Sequence, residues 1–217
     1  MGACPYVGRV PATPSRAALL GALVLLLRPT YIAAEVVTAN ATTGGYSFVA
    51  DSVSRLGEVG CTASYCSPRH EVMNGAFMVY GVALAVGALL LAKQLGPWVT
   101  GLLVVSGLSS YATGLAPLDQ DATLHALVAT PLFVAQPLAL LLLGRQVRRE
   151  RPRLGTALLA TGVLTAAAAV GFVVSGEGRA AGALERAALW PVLLGLAAYA
   201  WDAGLRRRPR GSMTAAQ

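Results

Sequence analysis

The chain alternates between long apolar runs and short polar connectors. Six runs stand out, at 17–38, 72–91, 97–118, 123–143, 154–175 and 184–205. Each is about twenty residues long, the length of helix that crosses a hydrocarbon core of roughly 30 Å, and each is bounded by Gly, Pro or charge. One stretch breaks the rhythm: the connector 39–71 is too polar to cross a bilayer and too long to be a turn. The pattern predicts an all-α integral membrane bundle of six transmembrane helices. It divides the chain into a polar lead (1–16), a membrane domain (17–205) with one long loop (39–71), and a basic tail (206–217).

Composition agrees. The chain has 217 residues, 55% of them hydrophobic and only 12% charged, too few charges for the surface of a soluble domain of this length. The net charge of +7 would suit nucleic acid, but the excess lies at the flanks of apolar runs, in the lead, in RQVRRERPR (145–153) and in RRRPR (206–210). No aromatic residues or folded module accompany these arginines, so nucleic acid is not an expected partner. Lys and Arg at span flanks mark the cytoplasmic side. With Lys93, 145–153 and 206–210 inside, both termini are cytoplasmic, and the outward connectors are 39–71, 119–122 and 176–183. The expected location is the plasma membrane.

Arg28 and Glu35 interrupt the first run. A cleaved signal peptide is the competing reading, with Ala17–Leu27 as its apolar region and small residues near 37–39. Arg28 ends that region well before the cleavage position, so a retained span is expected. In the loop, Val49, Val53 and Leu56 recur at helical spacing and predict a short helix lying on the membrane interface. Cys61 and Cys66 fall on the outward side, where a disulfide would form; with no second thiolate pair, a structural zinc site is disfavoured. Cys4 is expected to be free. Asn40, Ala41 and Thr42 form a formal glycosylation acceptor that the bacterial-looking composition leaves without a sugar.

Polar residues in a span are expensive, and here they gather at one depth. Glu35 lies near the outer end of the first span, and His70, Glu71 and Asn74 open the second. Asp119 ends the third, His125 lies in the first turns of the fourth, and Glu185 with Arg186 opens the sixth. Each has a structural reading. Asp119 or Asp121 would cap the fourth helix, Asn74 would bond a neighbouring helix, and Arg28 would snorkel or pair with Glu35. Glu185 and Arg186 are adjacent and so need separate partners. The functional reading is a pocket formed by Glu35, Ser54, Asn74, Asp119, His125, Glu185 and Arg186 that takes a polar headgroup. A metal needs three protein ligands in reach, and no HExxH or paired His is present, so neither metal nor cofactor is expected. Nucleophilic catalysis has only loose serines such as Ser52 and Ser54, without a GxSxG turn. Recurrent Gly81, Gly87, Gly101, Gly107 and Gly162 permit close helix packing. Trp98, Trp201 and Tyr199 on one side, and Tyr31, Tyr46 and Tyr65 on the other, read as an aromatic belt.

Four pieces occur in a familiar order: YSFVADSVSRLG (46–57), Asn74 at the start of a span, PLDQ (117–120) followed by His125, and GALER with Trp190 (182–190). Together they resemble the bacterial six-span membrane proteins grouped as domain of unknown function 998, over about Leu20 to Trp201. The resemblance implies a six-helix bundle with Ser47, Ser54, Gly57, Asn74, Asp119, His125, Glu185 and Arg186 at signature positions. It implies no activity. The segment CTASYCSPRH (61–70) is longer than the family pattern.

The expected function is a non-catalytic membrane protein that binds a lipid headgroup or a partner membrane subunit through the outward cluster. The alternative is a membrane-embedded hydrolase acting on lipid, with His125 and Asp119 as base and orienting group or as metal ligands. A small-solute transporter comes third, disfavoured by the lack of an acidic residue at mid-membrane.

Overall fold

The computed structural model describes residues 15–176 and 178–205. The lead up to residue 14, with Cys4, and the basic tail 206–217 lie outside the described residues. All named elements are helical: α1 (Arg16–Leu27), α2 (Tyr31–Ala39), α3 (His70–Leu90), α4 (Ala92–Leu115), α5 (Ala122–Arg148), α6 (Pro152–Ser175) and α7 (Ala181–Ala200), with a final π-helical turn at Trp201–Leu205. Among the described residues six stretches are long and apolar enough to cross a membrane: Arg16–Ala39, His70–Leu90, Ala92–Leu115, Ala122–Arg148, Pro152–Ser175 and Ala181–Ala203. The chain is a multi-pass membrane protein.

The first span departs from the expected single helix. A 3-10 turn, Arg28–Thr30, separates α1 from α2. Pro29 explains the break, because it has no N–H to donate and its ring crowds the carbonyl one turn earlier. The chain tightens instead, and the Arg28 N–H bonds Leu25 O. Arg28 neither snorkels nor pairs with Glu35: it is buried, and its Nε and Nη1 have no hydrogen-bond partner.

Other boundaries shift for equally local reasons. The third span begins at Ala92, and Gly96 (φ 74°) makes a kink just before Pro97. It ends at Leu115 rather than 118, because Pro117 biases the residue before it away from helix. Asp119 therefore sits in the connector rather than on the helix. The last span starts at Ala181, which sets Glu185 and Arg186 one turn inside it.

The predicted interfacial helix is absent. Turns lead into a 3-10 turn, Ser54–Gly57, which drives Val53 and Leu56 into the bundle while Val49 stays exposed. Burying that apolar pair against helices rather than lipid lets the surrounding backbone meet polar side chains. We call residues 40–69 the cap. Among the described residues the only extended pairing is an isolated bridge between Thr43 and Cys66, inside this cap.

Sequence neighbours pack as hairpins, α3 on α4, α4 on α5, α5 on α6 and α6 on α7, and α1 closes the ring against α3 and α7. Lipid tails are as apolar as Leu, so close packing rather than the hydrophobic effect holds such helices together. The α3–α4 contact illustrates it. A Cβ on Gly81 would lie 2.6 Å from Gly107 O, and one on Gly107 would lie 2.5 Å from Gly81 O. Polar splints add to this. Ser109 Oγ in α4 donates to Val128 O (2.5 Å) and accepts from Leu132 N (3.1 Å), entering the α5 backbone ladder beside Pro131. Among the described residues three apolar clusters result, the smallest at Ala168, Ala169 and Ala188. Of the other two, Leu25, Leu84, Leu95, Leu143 and Leu196 belong to the one away from the cap, and Tyr31, Val53, Leu56, Met73 and Phe77 to the one beneath it.

Candidate functional site

The cap is fastened to the bundle by side chains from the second, fourth and last spans and from the connector between the third and fourth. Arg186 makes the largest set of bonds. Its Nε donates to Glu35 Oε1 (2.7 Å), its Nη1 to Phe48 O (2.7 Å) and Asp51 O (2.9 Å), and its Nη2 to the Tyr46 hydroxyl. Glu35 Oε2 accepts from Trp190 Nε1 at 2.9 Å, so both carboxylate oxygens are engaged. Tyr46 OH passes its own proton to Ser52 O (2.9 Å). Burial pushes the Tyr46 phenol above its ordinary pKa against the opposing effect of Arg186, which keeps it a donor.

Glu185, next to Arg186 in sequence, looks elsewhere, as its separate face requires. Its Oε2 accepts from Val53 N at 2.6 Å and its Oε1 from Ser54 Oγ at 3.2 Å. The same Ser54 oxygen lies 3.0 Å from His125 Nε2. His125 Nδ1 stands 2.6 Å from Ala116 O, and a carbonyl only accepts, so Nδ1 carries a proton. In a neutral ring Nε2 is then an acceptor, and the single Ser54 proton has two acceptors, an imidazole and a carboxylate. Ala116 O, not Asp119, orients the histidine.

Asp119 acts on the far edge of the cap. Its Oδ1 accepts from Val59 N (3.1 Å) and its Oδ2 from Gly60 N (2.7 Å). Slight burial raises its pKa, but the Gly60 and Val59 amides, with Gln120, outweigh that and leave the carboxyl below its ordinary value. The N-cap of α5 is Asp121, which accepts from Leu124 N at 2.9 Å. Asn74 Nδ2 donates to Gly57 O at 2.9 Å.

Two glycines allow this approach. A Cβ at Gly182 would lie 2.1 Å from Asp51 O, and one at Gly57 would lie 2.2 Å from Asn74 Oδ1. Ala183 N completes the seam by donating to Val49 O at 2.9 Å.

The structure thus joins Glu35, Ser54, His125, Glu185 and Arg186 through the cap, and sets Asn74 and Asp119 on separate anchors. His70 stands apart, its Nδ1 3.0 Å from Ser67 O, and it opens α3 as expected. Among the described residues no group of three His, Cys, Asp or Glu side chains could hold a metal ion. The Cys61 and Cys66 sulfurs lie 1.91 Å apart, within bonding distance. Sequence reasoning missed Tyr46 and Trp190 as site residues. Both lie inside the motif pieces quoted above, and a phenol or indole beside buried charge was the available signal.

Beneath Ser54 and Glu185 a cavity runs into the bundle past Phe77, Leu189 and Leu193 to Arg28 and Gln136. Ser54 and Glu185 line it on the side of the cap.

Neither a curated protein nor a solved structure matches this chain. The family described as Protein of unknown function (DUF998) does match, over residues 16–202, from the start of α1 past the end of α7, and the chain belongs to that family.

Proposed function

We propose that the chain is a non-catalytic protein of the plasma membrane whose outward-facing cap binds the polar headgroup of a membrane lipid, with both termini cytoplasmic and Cys61 bonded to Cys66 in the oxidising compartment. One observation carries this reading. Each ionised group of the cluster is committed to holding the cap: Arg186 and Glu35 to each other and to Phe48, Asp51, Tyr46 and Trp190, and Asp119 to Val59 and Gly60. Such a network preorganises a surface and leaves its charges no open reacting face. Exposed Phe48, Val49 and Val59 on that surface supply apolar contact at headgroup level. Native mass spectrometry of protein released from mild detergent tests the proposal. A retained lipid, lost on Val49→Asp, is the expected result. A retained second polypeptide would instead make the cap a subunit interface.

A hydrolase is the second reading, favoured by the 3.0 Å contact of Ser54 Oγ with His125 Nε2 on the cap side of the cavity. An imidazole so placed would accept the serine proton during attack on an ester carbonyl, with Ala116 O fixing its tautomer. Purified protein incubated with membrane lipids decides it: turnover abolished by both Ser54→Ala and His125→Ala, with the fold kept, would replace the binding reading.

A further inference from the structure

The cap cluster leaves one buried ion unaccounted for. Arg28 lies close to the midpoint of the first span (Arg16–Ala39) and is only 4% exposed. Its guanidinium stays protonated under any physiological condition. Nε and Nη1 have no hydrogen-bond partner, and among the described residues no carboxylate lies within ion-pair distance of them. One turn on, the buried Tyr31 hydroxyl also lacks a partner. Residues three apart on a helical path share a face. Both line the same cavity, with Tyr80, Ser110 and Gln136 from α3, α4 and α5 around them.

An unpaired charge at mid-bilayer is costly, so such residues face a pathway or a ligand. Here the orphaned groups are donors that line one space. The space is small, about 40 Å³, which holds roughly three water-sized particles at about 10–15 Å³ each. That is too little for a glycerophosphate head. The carboxylate at the other end, Glu185, is occupied by Val53 N and Ser54 Oγ and does not reach the arginine. We propose that this cavity binds one small monovalent anion, of halide size, held by Arg28 and the Tyr31 hydroxyl. The surrounding Phe77, Leu132 and Leu193 lower the local dielectric and strengthen the attraction. The site lies below the cap and is independent of what the cap binds.

Thermal unfolding of the full chain in detergent tests it, with gluconate replaced by chloride, bromide or nitrate at constant ionic strength. The expected result is a saturable rise in Tm, about 5 °C at a hundredfold excess over Kd. Arg28→Gln removes that dependence, and Tyr31→Phe raises the apparent Kd about tenfold. Should Arg28→Gln not fold, the wild-type and Tyr31→Phe titrations decide alone. The proposal is overturned if Tm is the same in gluconate and bromide, or if Arg28→Gln retains the response. It also falls if native mass spectrometry finds a phospholipid that wild type holds and Arg28→Gln does not, since the anion would then be a lipid phosphate.

Discussion

Glu35 and Arg186, 151 positions apart, form an ion pair at 2.7 Å with side chains 0% and 6% exposed. The pair joins the first span to the last, and Arg186 extends it to the cap backbone at Phe48 and Asp51. A buried pair of this kind holds a geometry more than it adds stability, but removing one partner strands a charge.

Unequal costs follow for the two partners. Glu35→Gln leaves Arg186 its cap acceptors, whereas Arg186→Gln also strands the carbonyls of Phe48 and Asp51. Thermal unfolding in detergent should place Glu35→Gln about 3 kcal/mol below wild type and Arg186→Gln about 5 kcal/mol below. Limited proteolysis should cut the cap of the arginine variant first. Equal losses with an intact cap would contradict the clamp.

Gly182 should tolerate no side chain. In Gly182→Ala the new methyl would meet Asp51 O at 2.1 Å, so the cap must lift from α7. A loss of about 1–3 kcal/mol is expected. Gly101→Ala, with nothing within 4 Å of its Cβ position, should be neutral and serves as the control.

The Asp119 anchor should fail only in acid. Its folded pKa lies below the unfolded one, near 3.9, so its contribution is complete above that value and is lost as pH falls through the folded pKa. The amide proton shifts of Val59 and Gly60 should titrate together with a midpoint below 3.9. Asp119→Asn should abolish that titration. A midpoint at or above the ordinary aspartate value would rule the anchor out.

Orientation can be read by chemical labelling. In a background with Cys4, Cys61 and Cys66 changed to Ser, Gln120→Cys should react with a membrane-impermeant maleimide on intact cells and Lys93→Cys should not. The reverse pattern would invert the topology inferred from Lys and Arg at the span flanks.

The six spans were legible because each apolar run is as long as a bilayer is thick. The polar stations were legible because Glu35, His125, Glu185 and Arg186 are out of place beside lipid. Their partners were not. Arg186 bonds the carbonyls of Phe48 and Asp51, and Glu185 and Asp119 bond the amides of Val53, Val59 and Gly60. Every residue carries those groups, so no pattern announces them. The alternative that Arg28 pairs with Glu35 rested on their sharing a face two turns apart. The carboxylate is instead filled by Arg186 Nε and Trp190 Nε1, neither of which lies near it in sequence. The amphipathic spacing of Val49, Val53 and Leu56 predicted a helix on the membrane interface, whereas Val53 and Leu56 pack into the bundle and Val49 stays exposed, because spacing alone does not distinguish a lipid surface from a helix bundle.

The distance along the chain between Glu35 and Arg186 has a consequence for biogenesis. The ribosome delivers Glu35 with the first span and Arg186 only with the last, after four intervening spans have been made. Until then the carboxylate waits without its cation, and the cap without the guanidinium that gathers Phe48 and Asp51. Completion of the last span therefore acts as the closing step of assembly. A nascent chain stalled before residue 186 lacks the cation that pairs with its Glu35 carboxylate.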